Sequence, residues 1–503
     1  MNRLIHIPEP SLLFGYDQEM EDPRDGLTLF GPLDEGKPYG IRAGIIGTKE
    51  GIRRFKEWLS RIQQPISNDP ARIARPPFPG FEAVFKIPLD PQPLLELEIK
   101  EDDLQKALFL DDKYQRVFKT VELYSSKLVK SKAEEEAEID LWFVVVPDDV
   151  YKYCRPESLV EKSLKVHIDA PMSVQGAREL VKQKALFPGD EDAAQPYQYE
   201  VNFHNQLKAR LLSDKIPTQV VRESTIAHRE FLNQFSEPKR NLDALQSAIA
   251  WHISTAAFYK AGGRPWKLSS IRDGVCYIGL VFKQDERDKD PRSACCAAQM
   301  FLDSGDGVVF KGAVGPWHTP GRGDFHLSRA AAKQLVGIAV ESYVSKKGEP
   351  PKELFIHGKV RFHQEEWEGF QEAVDSNTKL VGIRIHDERD LKLYRKADHP
   401  VLRGLAFVQN ERTAYLWTKG FIPRLQTYPG REVPKPLLID VCDGEARIET
   451  VLQDILALTK LNYNACLFSD GDPVTLKFAD AIGEILTAGP LGDVPPLPFK
   501  YYI

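Results

Sequence analysis

Apolar positions in the first half of the chain alternate between two spacings. Residues 40–47 (GIRAGIIG) form a short apolar run, and 50–62 place Ile52, Phe55, Leu59 and Ile62 at helical intervals. A proline-rich loop, ARPPFPGFE, leads into 83–87. Residues 102–132 then repeat Leu104, Leu108, Val117, Val121, Tyr124 and Leu128 on one face, which predicts a single long helix. Residues 140–147 (DLWFVVVP) are apolar almost without interruption, as a strand buried on both faces of a parallel sheet should be. The acidic, polar stretch 169–198 breaks the pattern and reads as a loop or insertion. A helix over 202–212, a strand over 218–222 and a helix over 241–260, stopped by Gly262 and Gly263, complete this half. Strands alternating with helices predict a Rossmann-like, doubly wound α/β domain.

The second half has a different order. Three strand-like runs, 275–283, 293–302 and 307–311, are joined by short turns. A helix over 327–344, a strand over 353–362 and a helix carrying Trp367 and Phe370 follow. A second hairpin-like set lies at 382–386, 402–409 and 414–418, ahead of a strand at 437–441 and helices at 448–458 and 474–486. Three strands, a helix, a strand and a helix are the order of an RNase H-like fold.

Composition narrows the function only a little. The 503 residues carry 67 Lys and Arg against 73 Asp and Glu, a net charge of −6, which excludes a polybasic protein. Nucleic-acid binding would therefore need a local patch. The length suits two large domains or about three of ~150 residues. The six cysteines include no CxxC, and the adjacent Cys295 and Cys296 would pair only with strain. No run approaches the ~20 apolar residues of a membrane span, so a reducing cytoplasm is the expected location and no membrane is expected as a partner.

The sequence lacks GxxxxGK[ST], GxGxxG, HExxH and GxSxG, which removes the main support for several enzyme classes. What remains is a set of donors between Phe203 and Lys260. His204 and Lys208 stand four apart in FHNQLKARLL and share a helical face. Gln219 follows in IPTQVVRES, and Lys260 ends the long helix before AGGR. Converging at one end of a sheet, they would suit a terminal phosphate. Each also has an ordinary reading. His204 and Lys208 fit a solvated face, and Lys260 fits a helix C-terminus that favours cations.

Longer segments carry a resemblance. DGLTLFGPL, PGFEAVF, VPDDVYKYCRP, FHNQLKARLL, IPTQVVRESTIA, STAAFYKAGGRPWKL, GVCYIGLVFK, LFIHGKVRF and LTKLNYNACLFSDGDPVTLKFADAIGEILTA resemble short prokaryotic Argonautes, across essentially the whole chain. The resemblance implies a Rossmann-like MID domain over 1–270, with an N-terminal linker segment, and an RNase H-like PIWI domain over 271–503. It assigns a guide 5′-phosphate to His204, Lys208, Gln219 and Lys260. It also implies that Ile503, at the end of the apolar FKYYI, folds its carboxylate into that pocket and with Gln219 helps hold Mg²⁺. The implied partners are a small guide RNA with a 5′-phosphate, a complementary single-stranded DNA target, and an effector with an APAZ region. That effector is expected to be of the TIR type, destroying NAD⁺ in defence, in a heterodimer that oligomerises on activation. Sirtuin-like and nuclease effectors are the alternatives.

Cleavage by a PIWI domain requires carboxylates around two metal ions ~4 Å apart. In the strand VCYIGLVFK, Val281 takes the position of the first Asp, and in LFIHGKVRF Lys359 takes that of the second. The chain is therefore expected to be catalytically inactive. An autonomous nuclease would need a metal site among Asp303, Asp306 and Asp470 instead, and a scaffold that binds no guide is a further alternative. Lys359, Arg361 and His363, alternating along a strand, and Arg264, Lys267 and Arg272 around Trp266 are candidate backbone contacts. Arg395, Lys396 and Arg403 form a weaker cluster beside Asp387, Glu388 and Asp390.

Overall fold

A computed structural model of the chain describes residues 2–34, 36–69, 73–134, 138–167, 172–182, 188–284, 294–302, 307–314, 317–318, 325–428, 430–490 and 496–503. Its principal strands are β1 (Arg3–His6), β2 (Ala43–Gly47), β3 (Leu95–Glu98), β4 (Leu141–Val146), β5 (Thr218–Arg222), β6 (Val275–Gln284) and β7 (Ala294–Leu302). They continue as β8 (Gly307–Val314), β9 (Glu353–Gly358), β10 (Lys379–Asp387), β11 (Leu405–Val408), β12 (Thr413–Leu416), β13 (Leu437–Asp443) and β14 (Leu497–Pro498). The principal helices are α1 (Lys49–Ile62), α2 (Lys113–Glu134), α3 (Phe203–Leu211), α4 (Gln246–Lys260), α5 (Arg329–Lys347), α6 (Gln364–Ala373), α7 (Ile448–Leu458) and α8 (Val474–Thr487).

The smaller sheet has four parallel strands in the order β3-β2-β4-β5. All six residues of β4 are buried, which explains why its sequence does not alternate. The amphipathic α1 buries Ile52, Phe55, Trp58, Leu59 and Ile62, and the Thr48 side chain caps its first turn by accepting from Gly51 N at 3.0 Å. The larger sheet runs β1-β11-β12-β13-β10-β9-β6-β7-β8-β14. Within it β6, β7 and β8 form an antiparallel meander, while β9 lies parallel to both β6 and β10. One face of β6 (Cys276, Ile278, Leu280) packs with α5 and α6 residues such as Leu335, Val336 and Phe370. The other face meets α8.

That second contact is unusually close. A Cβ on Gly279 would lie 1.8 Å from the Thr475 carbonyl oxygen, so glycine at this point of β6 lets the first turn of α8 cross the strand.

Four expectations need correction. The helix foreseen over 102–132 is two helices, Glu101–Leu108 and α2, because the Asp112 carboxylate accepts from Gln115 N at 2.8 Å and starts a new helix. The stretch 169–198, read as a loop, contains helices Val174–Lys182 and Pro188–Ala194, where Ala177, Ala194 and Tyr197 make a small core of their own. The strand foreseen over 353–362 stops at Gly358. Phe362 turns back into contact with Trp367 and Phe370, so Lys359, Arg361 and His363 do not alternate along a strand. The second hairpin set is only the β11–β12 pair, since β10 sits between β9 and β13.

The N-terminal segment belongs to both halves. β1 pairs with β11 at one edge of the larger sheet, far away in sequence. Just after it, Glu9 accepts from Arg403 Nε at 2.9 Å and from Lys460 Nζ at 2.8 Å. Arg403 is 4% exposed and also donates to the carbonyls of Thr418 and Leu456. The basic cluster of Arg395, Lys396 and Arg403 thus loses its central member to a structural ion pair. Trp266, fully buried between the halves, donates to Lys460 O at 3.1 Å, while Tyr463 OH donates to Trp266 O at 2.8 Å. Among the described residues, no helix is long and apolar enough to cross a membrane.

Burial alone would raise the Glu9 pKa, but the charges and hydrogen bonds of Arg403 and Lys460 hold it below the ordinary carboxylate range. The stability this contributes is present above the unfolded value of about 4.5 and is lost as pH falls through the lower folded value. Glu9→Gln, which leaves two buried cations without their anion, should destabilise the chain by about 3–5 kcal/mol at pH 7. In thermal melts its deficit against the unaltered protein should shrink below about pH 4. Gly279→Ala should cost about 3 kcal/mol or more, since the added methyl meets backbone rather than a side chain that can move.

Candidate nucleic-acid interface

The phosphate-site residues foreseen from the sequence are assembled by three pieces of backbone. Asn202 caps α3, its side chain accepting from Asn205 N at 3.3 Å. The apolar face of α3 (Phe203, Leu207, Leu211) packs into a core with Tyr124 and Leu128 of α2. This packing turns Lys208 inward, to 1% exposure, while His204, one turn earlier, remains exposed at the rim. β5 supplies Thr218 and Gln219, and the last turn of α4 supplies Lys260, also 1% exposed.

The Thr218 carbonyl is the shared acceptor. Lys208 Nζ donates to it at 2.7 Å and Lys260 Nζ at 3.1 Å. Lys208 also donates to the main-chain oxygen of Ile503 at 2.6 Å, and Lys260 to Gln219 Oε1 at 2.6 Å. The acceptors are thus two main-chain oxygens and one amide oxygen. Burial pushes the Lys208 ammonium down to about 7, and burial with the charge of Lys208 pushes Lys260 well below its ordinary value. The crowded protein surroundings and the Lys208 charge move His204 downward as well. Because its ring is exposed, solvent screens part of that effect. A doubly charged anion would relieve the repulsion between the two ammonium groups.

Gln219 and Ile503 were also expected to ligate Mg²⁺. Their oxygens are of the type this ion takes, but each already accepts from a lysine ammonium. As arranged, the lysines supply the positive charge and the donor set does not fit a metal ion.

A cavity of about 650 Å³ adjoins His204, lined by Tyr151, Arg155, Asn205, Arg222, Thr225 and Arg240 among others. Two guanidinium groups lie over the Tyr151 ring, with Arg155 at 3.2 Å and Arg222 at 4.5 Å from its centroid. The cavity opens where β4 and β5 end, the usual ligand position in an open α/β sheet. Sequence reasoning missed these residues. Tyr151 and Arg155, four apart immediately after the apolar β4, were the available signal.

The candidate backbone contacts are dispersed. Arg264 forms a two-pronged pair with Asp34 at 2.8 and 3.0 Å, and Lys267 belongs to a short strand paired with Leu12–Leu13. Arg272 pairs with Glu353 and Asp454. Arg361 is exposed, 3.6 Å from Asp440. None of these lies in the lysine pocket.

In the larger sheet, β6 and β9 run side by side with His357 opposite Gly279. Tyr277, Gly279 and Val281 share a face with Phe355 and His357, as the Tyr277–Phe355 and Tyr277–His357 ring contacts show. Val281 is buried. His357 Nδ1 lies 3.0 Å from Thr475 Oγ1, and burial lowers its pKa to about 3, so the ring is neutral at pH 7. Lys359, just past the end of β9, is ion-paired with Asp480 of α8. Asp303 and Asp306 lie outside the described residues. Asp470 is held by Asn462 at 2.5 Å and by Lys477. Among the described residues, no group of three or more His, Cys, Asp or Glu is placed to hold a metal ion.

No protein-family model and no curated protein sequence matches this chain. Solved structures do. Clostridium butyricum Argonaute bound to a guide DNA and a 19-mer target DNA aligns with a TM-score of 0.65 at 15% identity, over 98% of this chain and 54% of that one. Aquifex aeolicus Argonaute aligns with a TM-score of 0.54 at 15% identity, over 97% and 53%. Drosophila Piwi aligns with a TM-score of 0.56 at 13% identity, over 100% and 56%. The chain thus spans about half the length of these structures. It has the Argonaute fold of a MID-like parallel α/β domain and an RNase H-like PIWI domain.

Proposed function

We propose that this chain is the guide-binding, non-cleaving recognition subunit of a nucleic-acid-sensing complex. The observation that carries the reading is the pair of buried lysines on the Thr218 carbonyl, with Gln219 and Ile503 accepting from them and His204 at the rim, near enough to feel their charge. This site would take the 5′-phosphate of a small guide RNA, through charge-assisted hydrogen bonds to the phosphate oxygens. The cavity lined by Tyr151, Arg155 and Arg222 offers the first base an aromatic ring and cations to stack on. A neighbouring fold is solved with guide and target DNA, which supports nucleic acid as the partner class.

A complementary single-stranded DNA is the proposed target. Hydrophobic Val281 and cationic Lys359 at the positions that carry carboxylates in cutting relatives support binding without cleavage. The effector is proposed to be a separate protein with an APAZ region and a TIR NADase domain, so that NAD⁺ loss would occur in the partner. Target pairing would act by favouring one arrangement of the complex, because a ligand shifts only states it binds unequally.

Lys208→Met with Lys260→Met should weaken binding of a 5′-phosphorylated RNA about 100-fold while leaving a 5′-hydroxyl RNA within about threefold, as two charge-assisted contacts are lost. Fluorescence anisotropy on the purified chain reads both. Equal affinity of variant and unaltered protein for the phosphorylated RNA would refute the pocket. In the same assay EDTA should change guide affinity less than about threefold, as lysines already occupy the oxygens Mg²⁺ would use. A loss of about tenfold or more would instead establish a metal there.

A further inference from the structure

At the opposite end of the smaller sheet from the His204 cavity, where β4 and β5 begin, lies a second cavity of about 310 Å³. Its size is at the lower end of the roughly 300–1,000 Å³ usual for ligand pockets. Ile139, Ile216 and Pro217 give it apolar walls. Its charged lining is four lysines, Lys37, Lys132, Lys215 and Lys500, against the two carboxylates of Glu138 and Asp140.

Both carboxylates are already engaged. Asp140 accepts from Lys37, from Arg42 N at 3.0 Å and from the Arg42 guanidinium at 3.1 and 3.3 Å. That fills the roughly four lone-pair positions of a carboxylate. Glu138 pairs with the same guanidinium at 2.8 Å, and Lys132 donates to the Asp214 carbonyl. The half-buried Lys500 is left without a hydrogen-bond acceptor among the described residues, its ammonium 5.4 Å from the centroid of the Tyr501 ring. Burial and the nearby charge of Lys37 hold that ammonium below its ordinary range. Ser131, near the end of α2, is the second spare donor. Thr120 and Ser126 of the same helix donate to the carbonyl four residues back, as helical hydroxyls commonly do. The Ser131 hydroxyl lines the cavity, is buried, and has no partner among the described residues.

We propose that this cavity binds the phosphate group of a small molecule, held by Lys500 and the Ser131 hydroxyl, with the exposed Lys215 beside them. A water molecule would satisfy the hydroxyl but leave the Lys500 charge uncompensated, whereas a phosphate accepts from both donors and offsets the charge. The group could belong to a phosphate monoester, whose organic part would meet the apolar walls, or to free phosphate. The inference does not rest on the guide reading. Pro217, Ala261 and Tyr501 of this cavity nevertheless stand next to Thr218, Lys260 and Tyr502 in sequence, so the test must tell the two phosphate sites apart.

Inorganic phosphate and AMP are titrated separately into the full chain by isothermal calorimetry at constant ionic strength. Lys500→Gln should weaken phosphate binding at one site about tenfold, and Ser131→Ala about threefold. Lys215→Gln changes an exposed side chain, so it tests the same site without disturbing the fold, and should weaken it about threefold. Lys208→Met with Lys260→Met should leave this site in place, which separates it from the lysine pocket. AMP bound more tightly than inorganic phosphate identifies a monoester as the ligand, and otherwise the ligand is free phosphate. Either result upholds the site. Acetate bound as tightly as phosphate overturns the ligand class. Phosphate binding unchanged in all three single variants, or abolished in the folded double variant, overturns the proposal.

Discussion

Lys208 and Lys260 meet on one carbonyl oxygen, that of Thr218, and both are buried. Bringing two ammonium groups out of water side by side is costly, and the cost shows as ammonium pKa values held down, Lys208 to about 7 and Lys260 well below its ordinary value, in a pocket built from three separate backbone segments. α3 is pinned by its core with α2, β5 by the parallel sheet, and α4 by its packing between the two halves. Ile503 reaches the same lysine from the far end of the chain. The arrangement makes sense as a receptor for concentrated negative charge, because only such a ligand turns the cost into affinity.

The larger sheet bears on the proposed absence of cleavage. In an RNase H-like sheet, two parallel strands must bring carboxylates together on one face. Here that face presents Tyr277, Gly279 and Val281 beside Phe355 and His357, with α8 laid directly over Gly279. The space is filled by apolar contacts and by the His357–Thr475 hydrogen bond. Lys359 lies beyond, in an open cleft whose charges are already balanced. The two halves thus differ in how charge is placed, with ammonium groups buried at one site and ion pairs half-exposed at the other.

Much of this was legible in residue spacing. The periodic Ile52, Phe55, Leu59 and Ile62, the continuous β4 and the three opening strands of the second half all form as their patterns predict. His204 and Lys208 do stand one turn apart on α3, but the first is exposed and the second buried, a difference the interval does not carry. What failed did so for physical reasons that spacing does not carry. Asp112 ended one helix and began another through a single side-chain hydrogen bond, without interrupting the apolar periodicity. The strand at 353–362 was cut short by Phe362 folding back on a core distant in sequence. The pairing of β1 with β11, and the use of Arg403 by Glu9, join residues about 400 apart and leave no local trace. The cavity beside His204 required the ends of two strands to be placed together before Tyr151 and Arg155 acquired a meaning.

The central claim is that the lysine pocket recognises a terminal phosphate, and the direct measurement is a comparison of two otherwise identical RNAs. The dissociation constants of the unaltered protein for 5′-phosphorylated and 5′-hydroxyl forms, taken at one salt concentration, should differ by about 100-fold in favour of the phosphate. A ratio near one would contradict the account, whatever the absolute affinity, because it would mean that the buried lysines of α3 and α4 are not what holds the strand.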